Sequence, residues 1–496
     1  MKTFIKINEK DNVIVALKPL TKGEILIVDD NEIELKEQVD RGHKIAIREI
    51  NQDENIVKYG FPIGHATTTI KTGEWVHTLN TKTNLSGVQE YKYEPKVVAN
   101  TMAKQNLTFK GYKRKNGNVG IRNELWIVPT VGCVNGVAEL MIRRFKEEVG
   151  DIAPFENIQV LKHNYGCSQL GDDHVNTRTI LGNAVKHPNA GGVLVLGLGC
   201  ENNNIIEFRD TLGEYDEDRV KFLLSQDVSD EVEEGLKLLI EIHQQAKNDQ
   251  REEVPFSELK IGLKCGGSDG FSGITANPLL GSLSDFLVAQ GGTTVLTEVP
   301  EMFGAETLLM ERAANEEVFH KTVDLINDFK QYFIRHDQPV YENPSPGNKA
   351  GGITTLEDKS LGCTQKAGTS TVVDVLKYGE ILTTKGLNLL SAPGNDLVAS
   401  SALAAAGCQI VLFTTGRGTP FGAFVPTVKI STNSQIYQNK PHWIDFNAGT
   451  LVEDKDPELV LSEFIEYIQR VASGELVNNE KNDFREIAIF KSGVTL

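Results

Sequence analysis

The fold of this chain is decided in the stretch Lys264–Gly281, which reads KCGGSDGFSGITANPLLG. The short apolar run Ile261–Lys264 just before the turn is typical of a buried strand. The glycines around Ser268 favour a turn in which backbone approaches a ligand closely, because glycine has no Cβ and tolerates positive φ. Helical spacing resumes over Thr275–Ala289. The stretch therefore predicts a strand, a turn and a helix, and ligands bind beyond the carboxyl ends of such strands in open α/β sheets.

The same alternation continues to the end of the chain. Parallel strands linked by right-handed crossovers follow from the lengths of the connections. We expect residues 256–496 to form a Rossmann-like α/β domain with a parallel sheet. Further strands are predicted at Thr294–Thr297, Leu387–Leu390 and Ile410–Thr414, and helices near Glu301, Asn395 and Glu458.

Residues 111–255 are predicted to form a middle α/β domain. Apolar runs typical of buried strands occur at Leu125–Val128, Ile158–Lys162 and Val193–Leu198. Helical spacing separates these runs, and Ser229–Lys247 is predicted to be a long amphipathic helix. This alternation favours a layer of parallel strands covered by helices.

Residues 1–79 are predicted to form a small, mostly β domain. Its short alternating or β-branched runs are Phe4–Ile7, Val13–Leu17, His43–Ile47 and Trp75–Leu79. Residues 80–110 are polar and weakly periodic, and they are predicted to be a linker or a wrapping arm. A second irregular stretch, between Tyr341 and Thr369, is rich in Gly, Pro and Ser and contains Cys363. It is predicted to be a long functional loop.

Composition bounds the class of protein. The chain has 496 residues, 40% of them hydrophobic, and a formal net charge of −17. This charge argues against a nucleic-acid partner, because phosphate neutralisation needs a basic surface. No apolar run is long enough to cross a membrane, and no signal peptide is recognised, so a cytoplasmic protein without membrane contact is expected. An anionic substrate would need a local positive site.

The six cysteines are spread along the chain without CxxC pairs, and each adjoins a glycine. This pattern is neither a structural zinc site nor a disulfide framework, so reduced thiols are expected. A glycine neighbour indicates that some of them lie in loops with a chemical role. Cys408, between an Ala-rich helical run and an apolar strand, is better interpreted as a core residue.

The segment Gly416–Gly422, GRGTPFG, is not a dinucleotide fingerprint. No helix opens within it, Pro420 interrupts it, and no acidic residue ends a second strand in the expected unit. NAD binding is therefore not expected. Arg417, between two glycines, is either a bidentate carboxylate ligand or an exposed solvated side chain.

Other polar residues near predicted strand ends have a chemical and a structural interpretation. His163, near Cys167, suits metal binding or proton transfer, or is a satisfied structural histidine. Glu298 suits a metal ligand or a base, whereas Glu301 is assigned to the helix dipole. Asn395 is a helix N-cap or part of a carboxylate site. In the small domain, His43, Lys44 and His65 either cover the main pocket as part of a lid or are surface polar groups.

The stretch Lys264–Gly281 resembles the altronate/galactarate dehydratase family. Five further segments carry the resemblance, and together they span nearly the whole chain: Gly111–Asn123 (GYKRKNGNVGIRN), His163–Gln169 (HNYGCSQ), Gly197–Glu201 (GLGCE), Ser391–Asp396 (SAPGND) and Gly416–Gly422. Length and N-terminus are most similar to the branch of the family that acts on altronate.

The resemblance implies an N-terminal SAF-like β-clip domain, a homodimer formed through the middle domain, and dehydration of a small sugar acid with Fe²⁺, Mn²⁺ or another divalent cation. Removing the C2 proton builds an enediolate that a metal stabilises, and the C3 hydroxyl leaves when an acid protonates it. For altronate the product would be 2-keto-3-deoxygluconate.

Residues are assigned to these roles as a hypothesis. Cys265, Asp269, Glu298 and Cys363 hold or border the metal, and this mixed set suits iron better than magnesium. His163 is the candidate base, and His43 or His65 the candidate acid. Substrate oxygens are held by Lys44, Ser268, Asn395 and Arg417.

Three alternatives stay open. The substrate is galactarate or another aldonate or aldarate, since stereochemistry is not readable from sequence. The enzyme is an iron–sulfur dehydratase whose cluster is bound by three of Cys167, Cys200, Cys265 and Cys363. The chain is a non-catalytic sugar-acid sensor, which would need the glycine-rich turns but no metal.

Overall fold

A computed structural model of the chain describes residues 2–96 and 98–496, so Met1 and Val97, in the predicted β domain and arm, lie outside the described residues. Within residues 2–96 short strands pair antiparallel in the orders β1-β2-β5-β8, β3-β4 and β6-β7-β9. They are β1 Phe4–Ile5, β2 Val13–Ala16, β3 Ile25–Val28, β4 Asn31–Glu34, β5 Lys44–Ala46, β6 Asn55–Lys58, β7 Phe61–Ala66, β8 Trp75–Val76 and β9 Thr81–Lys82. The predicted small β domain is confirmed.

The next region contains a parallel sheet in the order β13-β12-β14-β15 and an antiparallel sheet in the order β11-β10-β16. The strands are β10 Thr108–Lys113, β11 Val119–Gly120, β12 Glu124–Pro129, β13 Asn157–Val160, β14 Ala190–Gly197, β15 Val220–Leu224 and β16 Glu252–Pro255. The helices are α1 Asn135–Val149, α2 Gly171–Val185, α3 Ile205–Leu212 and α4 Glu231–Ala246. Asp230 caps α4 by accepting hydrogen bonds from the N–H groups of Val232 and Glu233.

The C-terminal region contains a parallel seven-stranded sheet in the order β19-β20-β18-β17-β21-β22-β23. The strands are β17 Lys260–Cys265, β18 Thr293–Leu296, β19 Val372–Leu376, β20 Gly386–Leu390, β21 Ile410–Thr415, β22 Thr427–Ser431 and β23 Phe446–Asn447. The helices are α5 Ala276–Ala289, α6 Glu306–Met310, α7 Glu316–Arg335, α8 Pro346–Ala350, α9 Leu356–Thr364, α10 Asp396–Ala405, α11 Ser434–Asn439, α12 Pro457–Ala472 and α13 Asn478–Lys481. The predicted α/β fold class is confirmed.

Strand β17 lies at the topological switch point of this sheet. The chain moves from β17 to β18 on one side and later returns to β21 on the other side. Crevices at the carboxyl ends of such strands are the usual ligand sites of open α/β sheets. The turn that follows Cys265 therefore opens where the topology favours binding.

The stretch between Tyr341 and Thr369, predicted as a loop, contains the helices α8 and α9. Every residue of α9 is buried, so its sequence shows no amphipathic period. The local signal is the capping residue before each helix, Ser345 and Thr355. Cys363 thus lies on a buried helix.

The segment between β9 and β10 runs over the C-terminal region without regular structure in its described residues. The hydroxyl of Tyr91 donates to Glu306 at 2.5 Å, and the Asn100 amide donates to the carbonyl of Asp285 at 2.7 Å. The segment is therefore tied down along its length. No helix among the described residues is both long and apolar enough to span a bilayer.

Candidate active site

Cys265, the last residue of β17, lies in a buried cluster of possible metal ligands. Its Sγ donates to Glu301 Oε2 at 3.0 Å and lies 3.4 Å from the Sγ of Cys363. Glu301 ends the short helical turn after β18, and Cys363 lies on α9. One ligand atom from each residue lies within 4.8 Å of the other two. Residues far apart in sequence thus meet at the carboxyl end of the central strand.

Ammonium groups surround this cluster. Lys366 Nζ lies 2.7 Å from Cys265 Sγ and 3.5 Å from Glu298 Oε2. Lys359 Nζ lies 2.8 Å from Glu301 Oε1. All of these side chains are buried, so the negative charges of the cluster are balanced within the protein rather than by water.

Lys264 joins the two glycine-rich turns. Its Nζ pairs with Glu298 and, at 2.8 Å, with Asp396 at the start of α10. A Cβ on Gly266 would lie against the same Asp396 carboxylate. The turn after β17 and the turn before α10 therefore meet, as expected if both build one site.

The pKa values of the cluster follow from burial and charge. Burial alone would raise the pKa of Glu301, but Lys359, Lys366 and Lys264 hold it well below its ordinary value. Burial and the charge of Glu301 raise the pKa of Glu298. The contact with Cys265 and burial raise the pKa of the Cys363 thiol. The neutral thiol form of Cys363 is therefore favoured.

The donor set fits a soft or borderline divalent cation. Two sulfurs and one carboxylate are ligands that suit iron or zinc, whereas magnesium prefers oxygen alone. The cluster can therefore hold Fe²⁺ through Cys265, Glu301 and Cys363. Glu298 borders this set, because it accepts a hydrogen bond from the backbone N–H of Cys265 at 3.0 Å.

Asp269 lies apart from the sulfur cluster, in the loop after β17. Its carboxylate accepts hydrogen bonds of 3.0–3.2 Å from Phe271 N–H, Ser272 Oγ, Thr432 Oγ1 and Asn433 Nδ2. Burial nevertheless raises the pKa of Asp269. A fixed carboxylate with a raised pKa is suited to accept a proton.

Asp269 lines an open cavity of about 360 Å³ that also contains two arginines, Arg41 and Arg417. The Arg41 guanidinium lies 4.6 Å from the ring centroid of Phe271, and its buried Nε has no hydrogen-bond partner among the described residues. Arg417 is exposed. Two guanidinium groups beside one carboxylate are suited to capture an anionic ligand.

A second, narrow cavity of about 10 Å³ lies between Asp269 and Cys363. It is lined by Asp269, Ser268, Lys359 and Cys363. Ser268 is 1% exposed, and its Oγ has no hydrogen-bond partner in the part of the chain that the structure describes. A buried hydroxyl without a partner indicates a place for a polar ligand.

The small β domain is fixed against this site by a buried ion triad. The ammonium groups of Lys44 and Lys58 lie 2.8 and 3.0 Å from the two oxygens of Asp358. Burial lowers the pKa of Lys44 to about 8, although Asp358 opposes this shift. Burial would raise the pKa of Asp358, but the two lysines hold it well below its ordinary value.

The ammonium group of Lys44 therefore stabilises the contact between the small β domain and the C-terminal region. Besides Asp358, its ammonium group also donates to the carbonyl of Gly352, at 2.6 Å. The backbones of Gly42, Gly270 and Gly352 approach so closely there that a Cβ on Gly270 or Gly352 would overlap the carbonyl of Gly42. The structure does not place Lys44, predicted to bind substrate, on either cavity.

The three predicted catalytic histidines do not line these two cavities. His43 accepts a hydrogen bond from Trp75 Nε1 at 3.1 Å, and its Nε2 lies 3.3 Å from the carbonyl of Ala350. His65 Nδ1 lies 2.7 Å from Asn84 Oδ1. Burial lowers the pKa of His43.

His163 lies in the middle region, after β13. Its Nε2 lies 2.8 Å from the carbonyl of Pro129, and its Nδ1 accepts from the Tyr165 N–H at 3.1 Å. Burial lowers the pKa of His163, and both of its ring nitrogens are paired to backbone groups. Asn395 caps α10 by accepting hydrogen bonds from Leu397 and Val398, at 3.1 Å each.

Several residues in and around the buried cluster are not among those predicted from the sequence. The sequence predicts a helix-dipole role for Glu301, whereas the structure places its carboxylate in contact with Cys265 and Lys359. Lys264 had a detectable signal, a charged residue inside an apolar strand, since such a residue needs a buried partner. Lys359 and Lys366 have no comparable signal in the sequence. Their helical segment is buried on all sides, so it shows no alternation of polar and apolar faces.

Comparison with known proteins covers almost the whole chain. Family models described as the altronate/galactarate dehydratase SAF domain, the D-galactarate dehydratase/altronate hydrolase second domain and the D-galactarate/altronate dehydratase C-terminal domain match residues 2–84, 111–247 and 256–495. The SAF domain is the small β domain described above.

Three curated relatives match over most or all of their lengths. An altronate dehydratase from Bacillus subtilis is 70% identical over 497 residues, covering 100% of both chains. One from Escherichia coli is 59% identical over 99% of this chain and 100% of its own. A galactarate dehydratase (L-threo-forming) from Escherichia coli is 33% identical over 95% of this chain and 93% of its own. The chain belongs to the altronate/galactarate dehydratase family of sugar-acid dehydratases.

Proposed function

We propose that this chain is a metal-dependent altronate dehydratase that converts D-altronate to 2-dehydro-3-deoxy-D-gluconate and water. Full-length identities of 70% and 59% to two altronate dehydratases support this choice over galactarate, whose dehydratase is 33% identical. The observation that carries the chemistry is the buried set Cys265, Glu301 and Cys363. Asp269, which lines the cavity with two arginines, also lines the narrow cavity that Cys363 borders.

The metal in this proposal is Fe²⁺, or Mn²⁺ or another divalent cation in its place, held by Cys265, Glu301 and Cys363. Such an ion supplies Lewis-acid stabilisation of the enediolate that forms when C2 loses its proton. The two thiols release their protons on binding. Glu298, which accepts from the Cys265 N–H, keeps this strand end in place.

The side chains around the cavities have separate roles. The guanidinium groups of Arg41 and Arg417 hold the substrate carboxylate. Asp269 is the base, because it faces the open cavity and its pKa is raised toward neutrality. Ser268 donates its free hydroxyl to a substrate oxygen, and the ammonium group of Lys359, next to Glu301, stabilises the leaving C3 hydroxyl.

We further propose that the protein acts in the cytoplasm as a homodimer formed through the middle domain. Its only partner in catalysis is the small sugar acid. The six cysteines without CxxC spacing support a reducing compartment. The net charge of −17 supports a protein that does not bind nucleic acid.

The test is an anaerobic assay of the full chain, loaded with Fe²⁺, against altronate, galactarate and a panel of other aldonates and aldarates. Keto-acid formation is expected to be fastest with altronate and to fall to background after chelation. Faster turnover of galactarate would reassign the substrate. Tight binding of a sugar acid with no keto acid under any metal would identify a sensor instead.

Replacing the proposed base by an isosteric amide should lower kcat. Asp269→Asn removes the proton acceptor, and general bases contribute roughly 10²–10⁴-fold to rate. Steady-state kinetics and thermal unfolding measure the two effects separately. The matched control is Ser272→Ala, which deletes a hydrogen-bond donor to the same carboxylate and should leave most of the activity. Undiminished turnover of Asp269→Asn would remove this residue from catalysis.

Loss of a guanidinium should weaken substrate binding more than turnover. A charge-assisted hydrogen bond contributes about 1.5–3 kcal/mol, so Arg417→Ala should raise KM roughly ten- to a hundredfold. Arg41→Ala should do the same. Gln435→Ala, an uncharged residue on the same cavity, is the control and should change KM little. If Arg417→Ala and Arg41→Ala both keep the wild-type KM, like the control, the substrate carboxylate binds elsewhere.

A further inference from the structure

Three cysteines outside the proposed catalytic site lie on neighbouring loops at one edge of the middle sheet. Cys133, Cys167 and Cys200 each follow a glycine, in the loops after β12, β13 and β14. These strands are parallel and adjacent, with β12 between the other two, so all three loops leave the same edge. All three cysteines are exposed and free. The proposed catalytic chemistry does not use them.

Backbone hydrogen bonds hold the three loops together. The N–H of Gly132 donates to the carbonyl of Tyr165 at 3.0 Å, which joins the Cys133 loop to the Cys167 loop. The N–H of Asn202 donates to the carbonyl of Cys167 at 3.1 Å, which joins the Cys167 loop to the Cys200 loop. The loops that contain Cys133, Cys167 and Cys200 are therefore joined into one unit, which we call the platform.

The buried carboxylate of Glu201 fixes the Cys200 loop to the end of β12. It accepts from Thr130 Oγ1 at 2.7 Å and from the N–H groups of Leu198 and Gly199 at 3.0 and 2.6 Å. Glu201 is 4% exposed and its oxygens are engaged by these donors. The groups this platform offers to a metal are thus its sulfurs.

A buried donor without a partner lies beside the platform. Gln169 is 4% exposed, and its Oε1 accepts from the N–H of Gly166 at 3.0 Å and from Thr177 Oγ1 at 2.7 Å. Its Nε2 has no hydrogen-bond partner among the described residues. N–H donors to inorganic sulfide are a regular feature of iron–sulfur sites.

Among the described residues, the sulfurs of Cys133, Cys167 and Cys200 do not meet within the distance at which three ligands would hold a single ion. Within residues 2–96 and 98–496, ligand atoms from three residues come within 4.8 Å of one another at the Cys265 site and not at these loops. Thiolates that bind separate irons of one cluster stand further apart than the ligands of one ion. Three thiolates also leave one iron of a [4Fe–4S] cluster without a protein ligand.

We infer that Cys133, Cys167 and Cys200 bind a [4Fe–4S] cluster at the carboxyl edge of the middle sheet, each thiol releasing its proton as it binds iron. This grouping differs from the combination considered from sequence, because Cys265 and Cys363 belong to the C-terminal site. The cluster is separate from the proposed catalytic metal, so each can be lost without the other.

The test begins with anaerobic reconstitution of the full chain. Equal amounts of ferrous and ferric iron with a matching amount of sulfide have the mean oxidation state of the resting cluster, so no other oxidant is needed. After desalting, acid-labile sulfide and iron are measured per chain. About four sulfides per chain are expected for wild type, with absorbance in the visible range.

Variants separate this site from the catalytic one. The triple change Cys133→Ser, Cys167→Ser and Cys200→Ser should lower bound sulfide at least tenfold. Cys265→Ser and Cys408→Ala should retain it. No sulfide in wild type, equal sulfide in the triple variant, or loss in Cys265→Ser would each overturn the inference.

A second measurement does not depend on the fold of a variant. Iodoacetamide should alkylate Cys133, Cys167 and Cys200 in the apo wild-type chain, because these thiols are exposed. After reconstitution, mass spectrometry should show all three protected at least tenfold. Unchanged alkylation of these thiols in the reconstituted protein would contradict the inference as directly as the absence of sulfide.

Discussion

Replacing Cys265 by serine should abolish dehydration and the binding of one divalent ion together. A metal ion contributes several kcal/mol to charge stabilisation in the transition state, and each 1.36 kcal/mol is tenfold in rate. We therefore expect kcat to fall on the order of a thousandfold for Cys265→Ser. Cys363→Ser and Glu301→Gln should behave alike, since each removes one ligand of the same set.

The control for this prediction is Cys408→Ala. Cys408 is the third buried cysteine of the C-terminal region and lies at the amino end of β21, opposite the site. The change should leave kcat and metal stoichiometry near wild type. Stoichiometry is measured anaerobically after desalting, with kinetics on the same samples. Full activity of Cys265→Ser with a complete metal complement would show that the ion binds elsewhere.

Replacing Asp358 by asparagine should release the small domain. The change leaves the ammonium groups of Lys44 and Lys58 buried without their carboxylate, and breaking a buried ion pair in this way costs about 3–5 kcal/mol. In chemical denaturation, the SAF domain of the variant should therefore unfold at a lower denaturant concentration than that of wild type. Proteases should also cut the arm between β9 and β10 faster.

The matched control carries the same type of change on the surface. Glu34 pairs with Lys36 at 2.7 Å, but both side chains are about half exposed. Glu34→Gln should leave the unfolding transitions in place, because exposed pairs contribute little. If Asp358→Asn unfolds like wild type, the ion triad does not hold the domains together.

The same triad fixes the direction of the acid response. The pKa of Asp358 is depressed in the folded protein. Its stabilising contribution is therefore complete above the ordinary carboxyl pKa and is lost as pH falls toward the depressed value. Asp358→Asn should lack this part of the acid dependence of stability, measured from neutral pH to well below the ordinary carboxyl pKa.

The fold of the two α/β regions was largely predictable because the central strands of their parallel sheets are buried on both faces. Strand β17 is predicted as Ile261–Lys264 and observed as Lys260–Cys265. The exception, α9, shows the limit of pattern analysis, since a helix buried on every side has no polar face to mark its period.

Parts of the site were predictable for a different reason. Cys265, Asp269 and Arg417 follow strand ends near glycines, and their position in sequence already places them at the binding edge. Lys44 and His163 look equally functional in sequence. Their partners, Asp358 and the backbone near β12, come from distant segments, so only the fold shows that they are engaged.

The most direct test of the central claim is an anomalous-difference map at the iron absorption edge, from crystals grown anaerobically with Fe²⁺. The account predicts a peak in the C-terminal region within bonding distance of Cys265 Sγ, Cys363 Sγ and a carboxylate oxygen of Glu301. Iron bound in that region by oxygen ligands alone, around Asp269, or no iron at the sulfur set in an active crystal, would contradict it.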